Sequence, residues 1–254
     1  MLQLEHIKKY FHQGTPNEVM AVNDCSLSVR ESEFVVMIGS NGSGKSTLLN
    51  LIAGTCFPDE GSIFIGEKNI TLQKDFTRSQ YIARVFQDPM AGTAPDLTIL
   101  DNFRLAALRT KSKSFKTGVT AAFRKKVKER LSVLNLGLED KTGTMVGKLS
   151  GGQRQALTLL MSVMDEAKIL LLDEPTAALD PRSSENIMHI ADKVIRELNL
   201  CALLVTHNMH YAVKYGSRLL LMQQGKIVRD ISGAEKSAVT TAKLYEWFDT
   251  AAMV

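Results

Sequence analysis

Residues 39–47 read GSNGSGKST, three glycines and a lysine set among hydroxyl and amide side chains. This is the GxxxxGK[ST] pattern of a phosphate-binding loop, which joins a strand to a helix. Gly39, Gly42 and Gly44 let the backbone turn tightly and aim its N–H groups at phosphate oxygens. Ser40, Asn41 and Ser43 fill the turn between them, and Thr47 carries it into the helix. Lys45 has the reach for β- and γ-phosphates, and the Ser46 hydroxyl is a ligand for Mg²⁺. The chemistry on offer is the binding of a Mg²⁺–nucleoside triphosphate.

A second chemical stretch is ILLLDEPTAALDP, residues 169–181. Its apolar run delivers Asp173 to the carboxyl end of a buried strand, where open α/β sheets bind ligands. Asp173 suits the hydration shell of a Mg²⁺ ion. A turn forced by Pro175 would let Glu174 face the same phosphate as candidate general base for an attacking water. A third stretch, KLSGGQRQ from Lys148, puts Ser150 in an N-cap position ahead of Gly151 and Gly152. A capped, glycine-started helix attracts negative charge at its free N–H groups.

The elements that must hold these residues are readable from hydropathy. FVVMIG before the glycine loop is a short buried strand, and KSTLLNLIAG after it is a helix ending at Gly54. GSIFIGEKNI alternates around a Gly-Glu-Lys turn, as a peripheral hairpin does. KILLLD, CALLVT and RLLLM are further buried strands, the first two separated by a helical stretch around residues 181–199. Such alternation predicts an α/β fold with a mainly parallel sheet and helices on both faces. Residues 95–147 carry helical patterns and few strand candidates, so they are expected to form an inserted helical subdomain. The core is then residues 1–94 and 148–254 of a single domain. TTAKLYEWFD reads as an amphipathic terminal helix with Trp247 packed inward.

The chain has 254 residues, 44% hydrophobic and 23% charged, which suits an ordinary globular domain. A net charge of +4 is too small to indicate a nucleic-acid binder. Cys25, Cys56 and Cys201 are odd in number and lack CxxC spacing, which argues for reduced thiols. No apolar run reaches membrane-spanning length. The basic excess concentrates in residues 109–130, with Arg109, Lys111, Lys113, Lys116, Arg124, Lys125, Lys126, Lys128 and Arg130 against Glu129. That segment is either a solvated helical face or one turned to anionic lipid headgroups or the acidic loops of a partner protein.

GSNGSGKST, LSGGQRQ, LLLDEPTAALD and LLVTH, in this order, resemble the ATP-binding-cassette (ABC) family over nearly the whole chain. The resemblance implies a P-loop NTPase (RecA-like) core with an antiparallel β subdomain and an inserted helical subdomain. It implies ATP and Mg²⁺ as ligands. Tyr10 in IKKYF then matches the aromatic that stacks on adenine, with Phe11 beside it as rival. Gln87 in VFQDP matches the lid-loop glutamine that contacts Mg²⁺ or water. Ser150, Gly151, Gly152 and Gln153 match the signature that caps a neighbour's ATP. Asp180 matches the loop aspartate that communicates across the dimer, and His207 matches the switch histidine at the γ-phosphate. His6, His12, His189 and His210 have no such placement. Ala156 departs from the arginine that many relatives carry after GGQRQ.

One copy of each motif implies a second ATPase subunit, most simply another copy of the chain. Its other implied partners are transmembrane permease subunits, which would hold the chain peripherally at the cytoplasmic face of the cell membrane. VFQDPMAGTAP and VTHNMHYAVKYGSRLLLM look most like ATPases of uptake systems, which add an extracytoplasmic substrate-binding lipoprotein. Some of those systems are associated with aromatic amino acids. GTPNEVMAVNDCSLSV has the longer first hairpin also seen in lipoprotein-release and efflux complexes. A soluble ABC ATPase of DNA repair or translation is the remaining rival, but the chain has neither a long coiled-coil insertion nor a second cassette.

Overall fold

The computed structural model describes residues 1–109, 118–164 and 167–251. Its strands are β1 (Leu2–Phe11), β2 (Val19–Val29), β3 (Phe34–Ile38), β4 (Glu60–Ile65), β5 (Lys68–Asn69), β6 (Ile82–Val85), β7 (Ile169–Asp173), β8 (Cys201–Val205), β9 (Arg218–Gln223) and β10 (Lys226–Ser232). The helices are α1 (Lys45–Ala53), α2 (Asp75–Arg78), α3 (Ile99–Ala106), α4 (Ala121–Ser132), α5 (Gly151–Ser162), α6 (Pro181–Glu197), α7 (Met209–Lys214), α8 (Gly233–Ser237) and α9 (Thr241–Ala251). Contacts divide the chain into two compact units, Met1–Arg78 with Ile195–Val254, and Ser79–Val194.

In the first unit β3 pairs in parallel with β8 and with β9, in the registers Phe34↔Ala202 and Val35↔Arg218. Every residue of β3 and of β8 is buried, which is why both read as unbroken apolar runs. β10 closes on β9 as an antiparallel neighbour. A separate antiparallel sheet runs in the order β2-β1-β4-β5. Its β1 alternates, with Leu2 and Leu4 buried and Gln3 and Glu5 exposed. A register shift between Leu4 and Ile7, with His6 at φ 49°, returns Ile7 to the buried face. The expected hairpin is present as β4 and β5, joined across Ile65↔Lys68. In α9, Trp247 is buried, and the Arg229 guanidinium lies 4.7 Å from its ring centroid.

Helix α1 stops at Gly54, left-handed at φ 83°, where the sequence places its end. A buried guanidinium locks that end. Arg78 donates to the carbonyls of Leu51 (2.5 Å) and Ile52 (2.8 Å) in the last turn of α1. Its remaining donors reach the carbonyls of Gln73 and Thr71, both at 2.8 Å. The side chain is fully enclosed, and burial pushes its pKa down to about 10. It is still a cation at neutral pH, placed where the helix dipole is negative.

In the second unit β6 and β7 pair in parallel from Ile82↔Ile169 to Val85↔Leu172. Helix α5 is buried from Gln155 to Ser162. Of the stretch 95–147, the described residues carry α3 and α4. Arg124, Lys125, Lys126 and Lys128 on α4 are exposed, while Val127 and Leu131 face inward. Lys125 meets Glu129 at 4.0 Å and Lys128 meets Asp140 at 3.8 Å, so part of this charge is balanced locally. Arg109 donates to the Ser162 carbonyl at 2.9 Å. Lys111, Lys113 and Lys116 lie outside the described residues.

Arg78→Ala strips several buried carbonyls of their donor at once, and the expected cost is about 3 kcal/mol. Urea unfolding of the purified variant reads this as a lower midpoint. A loss below ~0.5 kcal/mol would contradict the locking role.

Candidate functional site

The first unit holds the glycine loop between β3 and α1. Gly44 takes φ 102°, and a Cβ there would stand 2.2 Å from the Ala21 carbonyl oxygen, so only glycine fits. The loop is braced from outside, since the Gly225 amide donates to the Ser43 carbonyl at 3.0 Å. Lys45 is buried, and its ammonium donates to the carbonyls of Gly39 and Ser40, both at 2.8 Å, and to Ser43 Oγ at 3.3 Å. The cation thus lies across the loop. Ser40, Asn41, Gly42 and Ser46 are exposed, and Thr47 is half-buried.

Tyr10 and Phe11 end β1, where consecutive side chains point to opposite faces. Tyr10 is half-buried, and its amide donates to Asp59 Oδ2 at 2.6 Å. Burial works against the Asp59 carboxylate, yet that amide and the Lys9 ammonium at 2.9 Å hold its pKa below the ordinary value. The backbone at Tyr10 is therefore fixed by charge. Phe11 is more exposed, with Lys9 Nζ 5.8 Å from its ring centroid.

His207 follows β8 and is exposed. The turn that carries it is ordered on both sides. Thr206 Oγ1 accepts from the Asn208 amide at 3.0 Å, and Asn208 Oδ1 accepts from the amides of His210 and Tyr211. Asn208 thereby caps α7.

The second unit holds Gln87, Ser150–Gln153, Asp173, Glu174 and Asp180. Asp173 is the last residue of β7. Glu174 has φ 46°, a left-handed conformation that a side chain adopts at a cost of about 1–3 kcal/mol. The chain thus turns at Glu174, ahead of Pro175, as expected. Gln87 stands exposed two residues beyond β6.

At the start of α5 a capping box forms. Ser150 Oγ accepts from the Gln153 amide at 3.3 Å, and Gln153 Oε1 accepts from the Ser150 amide at 3.1 Å. Gly151 and Gly152 have a packing reason to lack side chains besides an electrostatic one. A Cβ on Gly152 would lie 2.8 Å from Ser183 Oγ, and one on Gly151 would touch Leu179. Asp180 in turn accepts from the Ser183 amide at 3.0 Å and caps α6. Its hydrogen bonds with Ser183 hold the carboxyl below its ordinary pKa.

Two residues that sequence reasoning passed over belong to this half. Gln155 is fully buried, and its Nε2 donates to the carbonyls of Phe86 at 3.0 Å and Pro175 at 2.9 Å. It ties α5 to the residue before Gln87 and to the turn after Glu174. The available signal was a glutamine inside the buried run that continues as ALTLLM. The other is Arg84, whose Nη2 donates to Asp173 Oδ2 at 2.7 Å. A single basic residue in a four-residue strand carried no signal of its own.

Comparison with known proteins places this geometry. The family profile described as "ABC transporter" matches residues 22–177. The chain is 39% identical over 253 residues to the tyrosine transport ATP-binding protein of Clostridioides difficile, covering 99% of this chain and all of that protein. It is 32% identical to the phosphonates import ATP-binding protein PhnC of Lactococcus lactis, covering 91% and 92%. Among solved structures, the dimeric post-hydrolysis state of the ATP-binding cassette MJ0796, bound to ADP and Pi, is similar at TM-score 0.78 and 30% identity. The match covers 91% of this chain and 98% of that one. The ADP conformation of the cassette MJ1267 is similar at TM-score 0.82 and 25% identity, over 100% and 98%. With its glycine loop, capped signature helix and acidic strand end, the chain belongs to the ABC transporter family, as an ATP-binding cassette that hydrolyses ATP.

Proposed function

We propose that this chain is the ATPase subunit of an uptake transporter for an amino acid, with an aromatic one such as tyrosine foremost. The observation that carries this is the end-to-end match to the tyrosine transport ATP-binding protein, 39% over 253 residues. Matches to the phosphonate and methionine import proteins stand at 32–33% and cover 91% of the chain. No helix among the described residues is long and apolar enough to cross a membrane. In this reading permease subunits attach the chain at the cytoplasmic face, and an extracytoplasmic binding protein delivers the solute.

Each residue then has a chemical task. Tyr10 stacks on adenine, while residues 39–47 wrap the phosphates and Lys45 moves from its loop carbonyls to phosphate oxygens. Ser46, Gln87 and Asp173 offer hydroxyl, amide and carboxylate oxygens, the hard donors that suit Mg²⁺. Among the described residues no group of three or more His, Cys, Asp or Glu stands ready to cage a metal. That fits a cation held by few carboxylates together with substrate phosphates. When bound, Mg²⁺ neutralises charge developing on the phosphate oxygens. Glu174, aimed by its left-handed turn, takes a proton from the attacking water, and His207 holds the γ-phosphate end.

Ser150, Gly151, Gly152 and Gln153 serve a second copy of the chain. Their helix start meets the γ-phosphate of the nucleotide bound by the partner, and Asp180 sits at the same interface. Closure is stable only while that phosphate is present, which turns binding and cleavage into a mechanical cycle.

Glu174→Gln should retain ATP binding while turnover falls roughly 10²–10⁴-fold. Near-normal hydrolysis in that variant would remove Glu174 from the base role. Ser150→Arg should bind ATP yet fail to dimerise with it, as seen by size-exclusion chromatography in the Glu174→Gln background. An ATP-dependent dimer surviving the change would refute the shared site. For the transport reading, the tagged chain is captured from detergent-solubilised membranes. A permease and a lipoprotein that binds tyrosine in calorimetry are expected. Capture of a lipoprotein-release or efflux complex, with no solute-binding protein, would overturn uptake.

A further inference from the structure

Arg84 occupies an unusual place for a charge. Its neighbours Ile82, Ala83 and Val85 on β6 are buried, and its own side chain is only 12% exposed. Register places it opposite Leu171 of β7, so Asp173, two residues further, lies on the same face. Arg84 Nη2 stands 2.7 Å from Asp173 Oδ2, and the Asp173 side chain is 11% exposed. The guanidinium also lies 4.8 Å from the ring centroid of Phe86, the residue before Gln87.

We propose that Arg84 is a built-in counter-cation for Asp173, balancing the carboxylate when Mg²⁺–nucleotide is absent and setting the Mg²⁺ concentration at which nucleotide binds. The proposal rests on the reading of Asp173 as a residue that serves Mg²⁺.

The physical case is competition between cations. A metal ion drawn to Asp173 meets a like charge already held at hydrogen-bond distance from the carboxylate. At this low exposure the repulsion is weakly screened by water and salt. Arg84 is not a loose surface side chain, because its stem is fixed on β6 and its planar head lies against Phe86. The guanidinium and the metal therefore compete for the Asp173 carboxylate. A purely orienting hydrogen bond to a metal-serving carboxylate predicts the opposite sign, since deleting such a donor weakens metal binding.

Arg84 is on this account a tuning residue that acts through Asp173. The test is Mg²⁺ titration of fluorescent ATP-analogue binding to the purified full chain, without turnover. Arg84→Met should lower the half-saturating Mg²⁺ concentration roughly threefold to tenfold. Arg84→Lys, which keeps the charge, should stay within about twofold of the parent. An unchanged or raised Mg²⁺ requirement in Arg84→Met overturns the proposal. Thermal melting verifies folding, and Arg84→Gln replaces Arg84→Met if the latter does not fold, with the same expected direction. Asp173→Asn separates the proposal from the reading beneath it, because it should raise the Mg²⁺ requirement about tenfold or more. If Asp173→Asn changes nothing, the metal role of Asp173 falls and the proposal with it. If Asp173→Asn behaves as expected while Arg84→Met does not, the counter-cation alone is refuted.

Discussion

Four stretches to which a chemical task is proposed leave the carboxyl end of a buried parallel strand. β3 runs into the glycine loop, β6 leads to Gln87, β7 ends on Asp173, and β8 leads to His207. Parallel strands covered on both faces leave only their ends wet, and at the carboxyl end the chain is free to turn into a ligand site. That constraint explains two opposed demands on the sequence. Inside the strands nearly every residue is apolar, whereas in the turns that follow the backbone enters the left-handed region. Gly44 at φ 102° and Glu174 at φ 46° are two such positions.

Buried cations secure the opposite ends of the helices that follow. Arg78 locks the last turn of α1, whose first residue is Lys45. Lys236 does the same for α7, which begins two residues after His207, by donating to the Val213 carbonyl. Burial lowers the pKa of both cations. In each case the positive charge sits at the negative end of the helix dipole. At their starts the two helices differ, since α1 has no side-chain cap whereas Asn208 caps α7. Arg84 follows a different logic, since it faces the carboxylate of Asp173 and not the carbonyls of a helix end.

Much of this was legible in the sequence because the signals are local. The glycine loop declares itself by spacing. The buried strands declare themselves as unbroken aliphatic runs, and Gly54 marks the end of α1 by its freedom at positive φ. The capping box is spelled by Ser150 and Gln153, three residues apart. The unread part depends on pairing across long separations. Arg84 meets Asp173 only because β6 and β7 align in one register, and strand register is invisible in a single segment. The task of Gln155 depends on Phe86 and Pro175, distant in sequence, whose carbonyls are its acceptors. Arg78 gave no warning either, since its partners are backbone carbonyls, which every sequence has.

The contact of Gly152 with Ser183 has a consequence for how such a chain diversifies. Ser183 is the residue whose amide Asp180 caps, so the signature turn and the aspartate loop share one piece of packing. A substitution that enlarges position 152 is transmitted to Asp180 through two covalent neighbours and a hydrogen bond. The signature turn and the aspartate loop are therefore coupled, and under the proposed shared site both would have to change together. If that site joins two copies of the chain, a lineage that traded self-pairing for an unequal partner would have to rewrite both in step.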